Sequence, residues 1–357
     1  MAKVIVGMSG GVDSAVAALL LKQQGYEVIG VTLRVWAGEN GEENSRCCEI
    51  DDARRSCEIL GIKYHPHNCT SLFSENVVCP FVSDYLKGLT PNPCIECNRF
   101  VKFAKLIELA DVFGAEYVAT GHYAFVEKLE NGRYTVRKAS QAGKDQTYML
   151  YKLTQEQLSR TLMPLSKYTK DEVRALAEQA GLTVAHKEDS QEICFVSEGR
   201  YTDFICSHTT ETVPGEGNFV DSQGNVLGRH KGIYQYTVGQ RKGLGIALGY
   251  PAFVTKINVE DNTVVLGTEE DLKCNIFFCD DVNYMGIPEP SDGTEIKCLV
   301  KARYHQPERS ALITKMEDGT VKVVLGEAFK GVSPGQSAVF YDERGCVIGG
   351  GKITNGK

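Results

Sequence analysis

The sequence predicts a doubly wound α/β domain built on a parallel sheet, followed by a small β-rich domain and a C-terminal β-barrel. Up to residue 180, short apolar runs alternate with helical stretches, the pattern of a sheet whose strands are joined by crossover helices. From about residue 210 that alternation gives way to short strand-like segments separated by Gly turns. The 357 residues also exceed what one hydrophobic core usually organises, so roughly two or three domains are expected.

The elements follow in order. Residues 3–7 (KVIVG) are an apolar run ended by glycine, the pattern of a buried strand. Beyond the stretch SGGVDS, apolar positions at Val12, Ala15, Val16, Leu19 and Leu20 make a helical stripe that stops before Gly25. Residues 28–33 (VIGVTL) read as the next strand, 51–60 as a helix closed by Gly61, and IKYHPHN as a third strand. A long helix is expected near 71–87, ahead of the break GLTPNPC, and another over 98–113; EYVATG (116–121) returns to strand. ENGRYTVRKA is a hairpin around Asn131-Gly132. Helices are expected near 154–162 and 170–180, the second with Thr169 as its N-cap. FVDSQGNVLG, FVTKINVEDNTVVLG and the alternating run from 294 to 354 complete an all-β remainder. The expected domains are 1–207, 208–274 and 275–357.

Composition narrows the function classes. An apolar content of 42% and a charged content of 24% are those of a globular protein, and no run of about 18 apolar residues suggests a membrane span. The start MAKVIVGMSGG places glycines where a signal peptide would continue apolar, so a cytoplasmic location is expected. Thirteen cysteines in that compartment point to catalysis, metal or small buried hydrophobes rather than structural disulfides. Isolated ones such as Cys57 and Cys298 read as buried hydrophobes, and adjacent Cys47 and Cys48 as packed thiols in preference to sulfur relays. A net charge of −7 argues against binding nucleic acid through the whole surface. Charge is uneven, however: from Leu227 to Val259 the chain carries Arg229, Lys231, Arg241, Lys242 and Lys256 and no Asp or Glu. Lys301, Arg303, His305 and Arg309, with Tyr234, Tyr236 and Tyr304 interleaved along the same half, add cations and stacking faces suited to RNA.

The strand–loop–helix around Ser9, Gly10, Gly11, Val12, Asp13 and Ser14 carries the clearest chemistry. Glycines let backbone approach phosphate oxygens without a Cβ in the way, and a helix N-terminus offers N–H groups and a positive dipole end. Ser9 and Ser14 add hydroxyl donors, and Asp13 is an oxygen donor for Mg²⁺ on the phosphates. The loop lacks the Lys-Ser/Thr ending of a Walker A and is not GxGxxG, which disfavours kinase-like and NAD sites. It resembles the PP-loop of the ATP pyrophosphatases, whose fold is of the adenine nucleotide alpha hydrolase kind. That resemblance implies cleavage of ATP between the α and β phosphates and transfer of AMP. It makes Gly7 and Met8 part of the same strand end, places Leu33 beside the adenine, and sets Gly121 at the carboxyl edge of the sheet near the nucleotide.

Two cysteine motifs supply an acceptor chemistry. In TPNPCIECN, two prolines stiffen the loop ahead of Cys94 and Cys97, and a helix expected just past Cys97 would stabilise a thiolate at its N-terminus. Cys194 lies in EDSQEICF. In order, SGGVDS, TPNPCIECN, TGHY, KDQTYML and SQEICF, then GRHKGIYQYTVGQRKGLG and VKARYHQPERSA, resemble the tRNA-specific 2-thiouridylases over essentially all 357 residues. The resemblance implies adenylation of the 2-carbonyl oxygen of a wobble uridine and its replacement by sulfur. It implies Cys97 as nucleophile, Cys194 as persulfide carrier and a disulfide between them. It implies tRNA contacts at Asn92, Pro93 and Cys94 beside the target base, at His122, at Lys144, Asp145 and Gln146, and at Arg303, Tyr304 and Gln336. ATP and Mg²⁺ are the implied cofactors; tRNA and a sulfur-donor protein, a cysteine desulfurase or a relay carrier, are the implied partners.

Alternatives stay open at this level. Some members of the family carry Asp in place of Cys94, and Cys94, Cys97 and Cys194 together are the ligand number of a [4Fe–4S] cluster with one open iron. The PP-loop also serves amide or guanidino synthesis, although the two cysteine motifs would then be idle. A non-catalytic, nucleotide-dependent RNA-binding protein is the remaining class.

Overall fold

A computed structural model describes residues 1–36, 50–139, 145–187, 193–196 and 201–354. Lys144, Cys47 and Cys48 lie outside the described residues. The chain divides into two compact units: Met1–Val77 with Pro93–Glu198 and Arg344–Val347, and Val78–Asn92 with Gly199–Glu343 and Ile348–Lys357. No helix of the described residues is long and apolar enough to cross a membrane.

In chain order the strands of the first unit are β1 (Lys3–Gly7), β2 (Glu27–Arg34), β3 (Lys63–Asn68), β4 (Tyr117–Ala119), β5 (Ala124–Lys128), β6 (Tyr134–Lys138) and β7 (Thr161–Leu162). Its main sheet has the order β3-β2-β1-β4-β7 and is parallel throughout. Val4, Ile5 and Val6 of β1 are wholly buried, as expected of a central strand covered on both faces. The order reverses beside β1, so a crevice opens between the carboxyl ends of β1 and β4, where parallel sheets of this kind receive ligands. The hairpin expected around Asn131-Gly132 is the antiparallel pair β5 and β6.

Helix α1 (Val12–Gln23) follows β1, and its buried Ala15, Val16, Ala17, Ala18, Leu20 and Leu21 pack into one core with Leu165, Val173 and Ala177. Helix α2 (Ile50–Leu60) buries Ala53, Cys57 and Leu60 against the same core. The helix Lys170–Gln179 starts with a complete capping box: Thr169 accepts from Glu172 N–H and the Glu172 side chain accepts from Thr169 N–H.

Two expected helices differ from the single elements that periodicity suggested. The stretch near 71–87 is Thr70–Phe73, a π-helical turn Ser74–Val78 and Cys79–Leu86, with Pro80 at the start of the last piece. Proline removes an N–H from the ladder there, so the register changes where a uniform helix was expected. The helix expected over 98–113 begins earlier, as Pro93–Glu96, a π-helical turn Cys97–Lys102 and then Phe103–Phe113. Cys97 therefore sits inside a helical run rather than at its N-terminus, and the dipole argument for its thiolate does not hold.

The second unit holds a four-stranded sheet, β10-β11-β8-β9, from β8 (Gly217–Val220), β9 (Val226–His230), β10 (Phe253–Asn258) and β11 (Thr263–Gly267). Phe219, Ile233, Tyr236, Val254, Val264 and Leu266 fill its core. After it come β12 (Lys273–Asn283), β13 (Glu295–Lys301), β14 (Arg309–Lys315), β15 (Val321–Lys330), β16 (Ser337–Tyr341) and β17 (Val347–Ile353), closed as the barrel β12-β15-β14-β13-β16-β17. Inward residues such as Ile313, Val323 and Leu325 alternate with partly exposed ones, the period-two signal that marked this half as β, whereas β16 around Phe340 is buried throughout.

The capping box makes one element testable. Thr169→Ala is expected to lose about 1 kcal/mol of stability, read as a lower denaturation midpoint; an unchanged midpoint would mean that the cap is redundant.

Candidate active site

The loop after β1 is held by its own hydroxyls. Ser9 N–H donates to Ser14 Oγ at 3.1 Å, Ser14 Oγ donates to Gly11 O at 3.0 Å, and the two hydroxyl oxygens lie 3.3 Å apart. Gly10 has φ +80°, a left-handed conformation that suits a residue without Cβ. The base of the loop is tied to β2, where Met8 N–H donates to Val31 O at 2.8 Å and Thr32 Oγ1 donates to Met8 O at 2.8 Å. Gly11 is the N-cap of α1 and no side chain caps it, so the first-turn N–H groups face outward for an anion.

Three other segments meet this loop. A Cβ on Gly121 would lie 2.7 Å from the carbonyl carbon of Asp13, so only glycine lets the chain after β4 approach so closely. The next tyrosine, Tyr123, donates its OH to Asp13 Oδ1 at 2.7 Å. Lys170 reaches the same carboxylate, with Nζ 2.8 and 2.9 Å from its two oxygens. Lys187 donates to Gly10 O at 3.3 Å and to Asp52 Oδ2 at 2.6 Å, and burial pulls its ammonium pKa down. Two ammoniums from far along the chain thus reach a loop that has no lysine of its own. Asp13, expected to hold Mg²⁺, is here paired with Lys170 and Tyr123.

Neither lysine was singled out by the sequence pattern. Lys170 left one trace: a cation in the first turn of a helix opposes the dipole, where Asp or Glu is the usual choice. Tyr123 ends the TGHY motif and could have been marked with it. Of the other nucleotide-side residues, Val12 is buried at the start of α1, Leu33 is buried near the carboxyl end of β2, and Gly7 closes β1.

His122 stacks on Phe103, with ring centroids 5.9 Å apart, and its Nδ1 lies 2.8 Å from Thr120 Oγ1. Burial, with the Lys102 charge adding to it, pushes the imidazole down to about 3, so the ring is neutral at physiological pH. Asp145 is buried and accepts from Thr147 N–H at 3.3 Å and Thr147 Oγ1 at 2.8 Å. Gln146 Oε1 accepts from Tyr123 N–H at 3.0 Å, and Gln146 N–H donates to Tyr123 O at 3.1 Å. Gln146 thus braces the segment that carries Tyr123.

Pro93 is buried, Cys94 is exposed and Cys97 is buried in the helical run that starts at Pro93. Cys194 is half-buried beside Phe195, whose ring packs on Phe73 and Trp36 at 5.4 and 6.1 Å. All three cysteines belong to the first unit. Among the described residues no group of three His, Cys, Asp or Glu is arranged to hold a metal ion. Cys57 is fully buried and its thiol is pushed up to about 12 by burial, first, and by Glu58. Cys298 is only partly buried, and burial pushes it up to about 12 as well.

In the second unit Arg303 and Gln336 have intramolecular work. Arg303 Nη2 donates to Val238 O at 2.7 Å and to Ser333 Oγ, and Ser333 Oγ donates to Val238 O at 2.9 Å. Gln336 Nε2 donates to Thr90 O at 2.7 Å. Tyr304 is half-exposed, with His305 edge-on at 4.7 Å and Lys301 5.4 Å over its ring. Asn92 ends the segment Val78–Asn92 of this unit.

The depressed histidine gives a pH test. A folded pKa below the unfolded one means the unfolded chain binds the extra proton, so stability from neutral His122 is complete above about pH 6.5 and falls as pH drops toward about 3. NMR of the His122 imidazole should show the neutral form throughout pH 5–8; a titration inside that range would contradict the buried environment.

Comparisons with known proteins cover the whole chain. Residues 2–198 match a family model described as the tRNA methyl transferase HUP domain, 202–268 its PRC-barrel domain, and 275–353 the aminomethyltransferase beta-barrel domain. The tRNA-specific 2-thiouridylase MnmA of Lachnoclostridium phytofermentans is 50% identical over 99% of both chains. That of Clostridium perfringens is 48% identical over 99% of this chain and 98% of its own. The U34-tRNA thiolase NcsA of Methanococcus maripaludis, solved with its [4Fe–4S] cluster, is 21% identical with a TM-score of 0.36 over 58% of this chain and 63% of its own, a likeness too weak to carry the cluster here.

Proposed function

The chain belongs to the tRNA-specific 2-thiouridylase family, and from that premise we propose that it adenylates the 2-carbonyl oxygen of a tRNA wobble uridine with ATP and replaces it with sulfur. The observation that carries this reading is the loop after β1, with its uncapped helix N-terminus, two structuring hydroxyls and two ammoniums that reach it, Lys170 at Asp13 and Lys187 at Gly10 O. In it, the uridine O2 attacks the α-phosphorus of ATP and the α–β bridging bond breaks. Pyrophosphate leaves onto the loop, where Lys170 and Lys187 add charge to the backbone N–H groups. Asp13 is the residue that would hold Mg²⁺, which neutralises phosphate charge.

The terminal sulfur of a Cys194 persulfide then bonds to C2 while AMP departs with the former carbonyl oxygen. Cys97 attacks the Cys194 sulfur of the resulting C–S–S linkage, releasing 2-thiouridine and leaving a Cys97–Cys194 disulfide. A thiol reductant returns the pair to thiols, and a persulfide-donor protein recharges Cys194. Asn92, Pro93 and Cys94 would face the target base, with His122, Lys144, Asp145, Gln146, Arg303, Tyr304 and Gln336 on the tRNA side. The family resemblance supports those assignments, and the half-exposed Tyr304 with Lys301 suits stacking and phosphate contact. The domain limits 1–207, 208–274 and 275–357 and a cytoplasmic site of action belong to the same reading.

Nucleoside mass spectrometry after incubation with ATP and a persulfide donor is expected to show 2-thiouridine, and pyrophosphate release is expected to need both ATP and unmodified tRNA. Release without tRNA, or without thiolation in any condition, would redirect the reading to another acceptor. Cys97→Ser and Cys194→Ser should each abolish thiolation while ATP binding persists. Lys170→Met and Lys187→Met should weaken ATP and pyrophosphate binding on the order of tenfold each, with AMP binding much less affected; equal losses for AMP would place the lysines elsewhere.

A further inference from the structure

Lys152 is a buried cation that the adenylation chemistry does not use. Its side chain is 3% exposed, and its ammonium lies 2.6 Å from Glu96 Oε1. Glu96 is the residue between the two cysteines of CIEC that directly precedes Cys97. Burying an ammonium is costly unless it is paired, so the folded chain holds Glu96 against Lys152 and thereby fixes the turn that leads into Cys97.

Two further ties run from the same stretch of chain to the residues just beyond Cys97. Asn98 Nδ2 donates to Met149 O at 2.9 Å, and Gln157 Nε2 donates to Arg99 O at 3.2 Å. The stretch from 148 to 157 is itself well packed: Tyr148, Leu150, Tyr151 and Leu153 are buried, and Gln157 is fixed as the third residue of the Thr154 capping box. Cys97 opens a π-helical turn, Cys97–Lys102, a geometry that interrupts the regular ladder and is frequent at functional sites. Anchors on residues 96, 98 and 99 therefore bracket a buried thiol where the regular ladder is interrupted.

We propose that Lys152, acting through its ion pair with Glu96, is a positioning residue for Cys97 in sulfur transfer. The proposal rests on the reading of Cys97 as the nucleophile. Its physical basis is that an attacking sulfur must arrive aligned with the bond it breaks, and displacement by about 1 Å can cost on the order of a hundredfold in rate.

The test compares Lys152→Met, Lys152→Arg and the double variant E96Q/K152M in the full-length protein. The melting midpoint is measured, and three quantities are read well below it: the rate of Cys97 alkylation by iodoacetamide followed by peptide mass spectrometry, and kcat and KM(ATP) for tRNA thiolation. The double variant removes both charges of the pair, and its midpoint reads directly whether it stays folded. In it, Cys97 alkylation is expected to rise about tenfold, as the thiol loses its fixed buried place, while kcat falls on the order of ten- to a hundredfold with KM(ATP) unchanged. Lys152→Arg, which keeps the charge and reach, should recover most of both. A folded double variant with wild-type alkylation and kcat would overturn the proposal, as would a fall in kcat with alkylation unchanged. Thiolation retained in Cys97→Ser would instead refute the nucleophile assignment, and the alkylation measurement separates that failure from this one.

Discussion

The carboxylate of Asp13 is the point on which the first unit is organised. It lies in the first turn of α1, accepts from Tyr123 OH and pairs with Lys170, so the loop after β1, the segment after β4 and the helix Lys170–Gln179 are drawn to one group. Lys170 sits in the first turn of its own helix, where a positive charge is unfavourable, and the pair with Asp13 offsets that cost. Gly121 lets the β4 side close to van der Waals distance of the same turn. A loop held in this way already has its N–H groups aimed before any anion arrives, which is the condition under which such donors act with little reorganisation.

That constraint also explains how a phosphate loop manages without a lysine of its own. Lys170 and Lys187 each rest on a carboxylate, Asp13 and Asp52, and both are partly exposed pairs rather than sealed ones. Neither ammonium is left uncompensated in the absence of nucleotide, yet neither is so deeply paired that exchanging a carboxylate for a phosphate oxygen would be prohibitive. The cysteine side follows a different logic. There the buried ion pair of Lys152 and Glu96 has little solvent access on the lysine side, so it serves to fix geometry rather than to exchange partners.

How much of this was legible in the sequence depends on the range of the interactions. The sheet, α1, the hairpin, the Thr169 cap and the barrel were readable because each is announced by local periodicity or by a residue with a local backbone role. The π-helical turns were not, because a turn of that kind has no sequence period of its own; only Pro80 hinted that one helix would break. The motif residues of the phosphate loop were visible for the same local reason. Lys170, Lys187 and Lys152 were not, since each acts on a group between 56 and 157 residues away in the contacts Lys152–Glu96, Lys187–Asp52 and Lys170–Asp13.

The same distinction governs what the residues of the second unit can be asked to reveal. Arg303 and Gln336 look like surface RNA contacts when taken as motif positions, yet their donors reach Val238, Ser333 and Thr90 within the unit. A guanidinium that joins Val238, in the connection between β9 and β10, to Ser333, between β15 and β16, contributes to folding whether or not RNA is present. Weakened tRNA binding after its removal would thus report the shape of the unit as much as a lost contact. Under the proposed reading Tyr304, with Lys301 over its ring, is the more direct probe of RNA contact, because the ring is half-exposed. A net charge of −7 makes that local cation more telling, since affinity for a polyanion must then come from a few placed residues rather than from the surface as a whole.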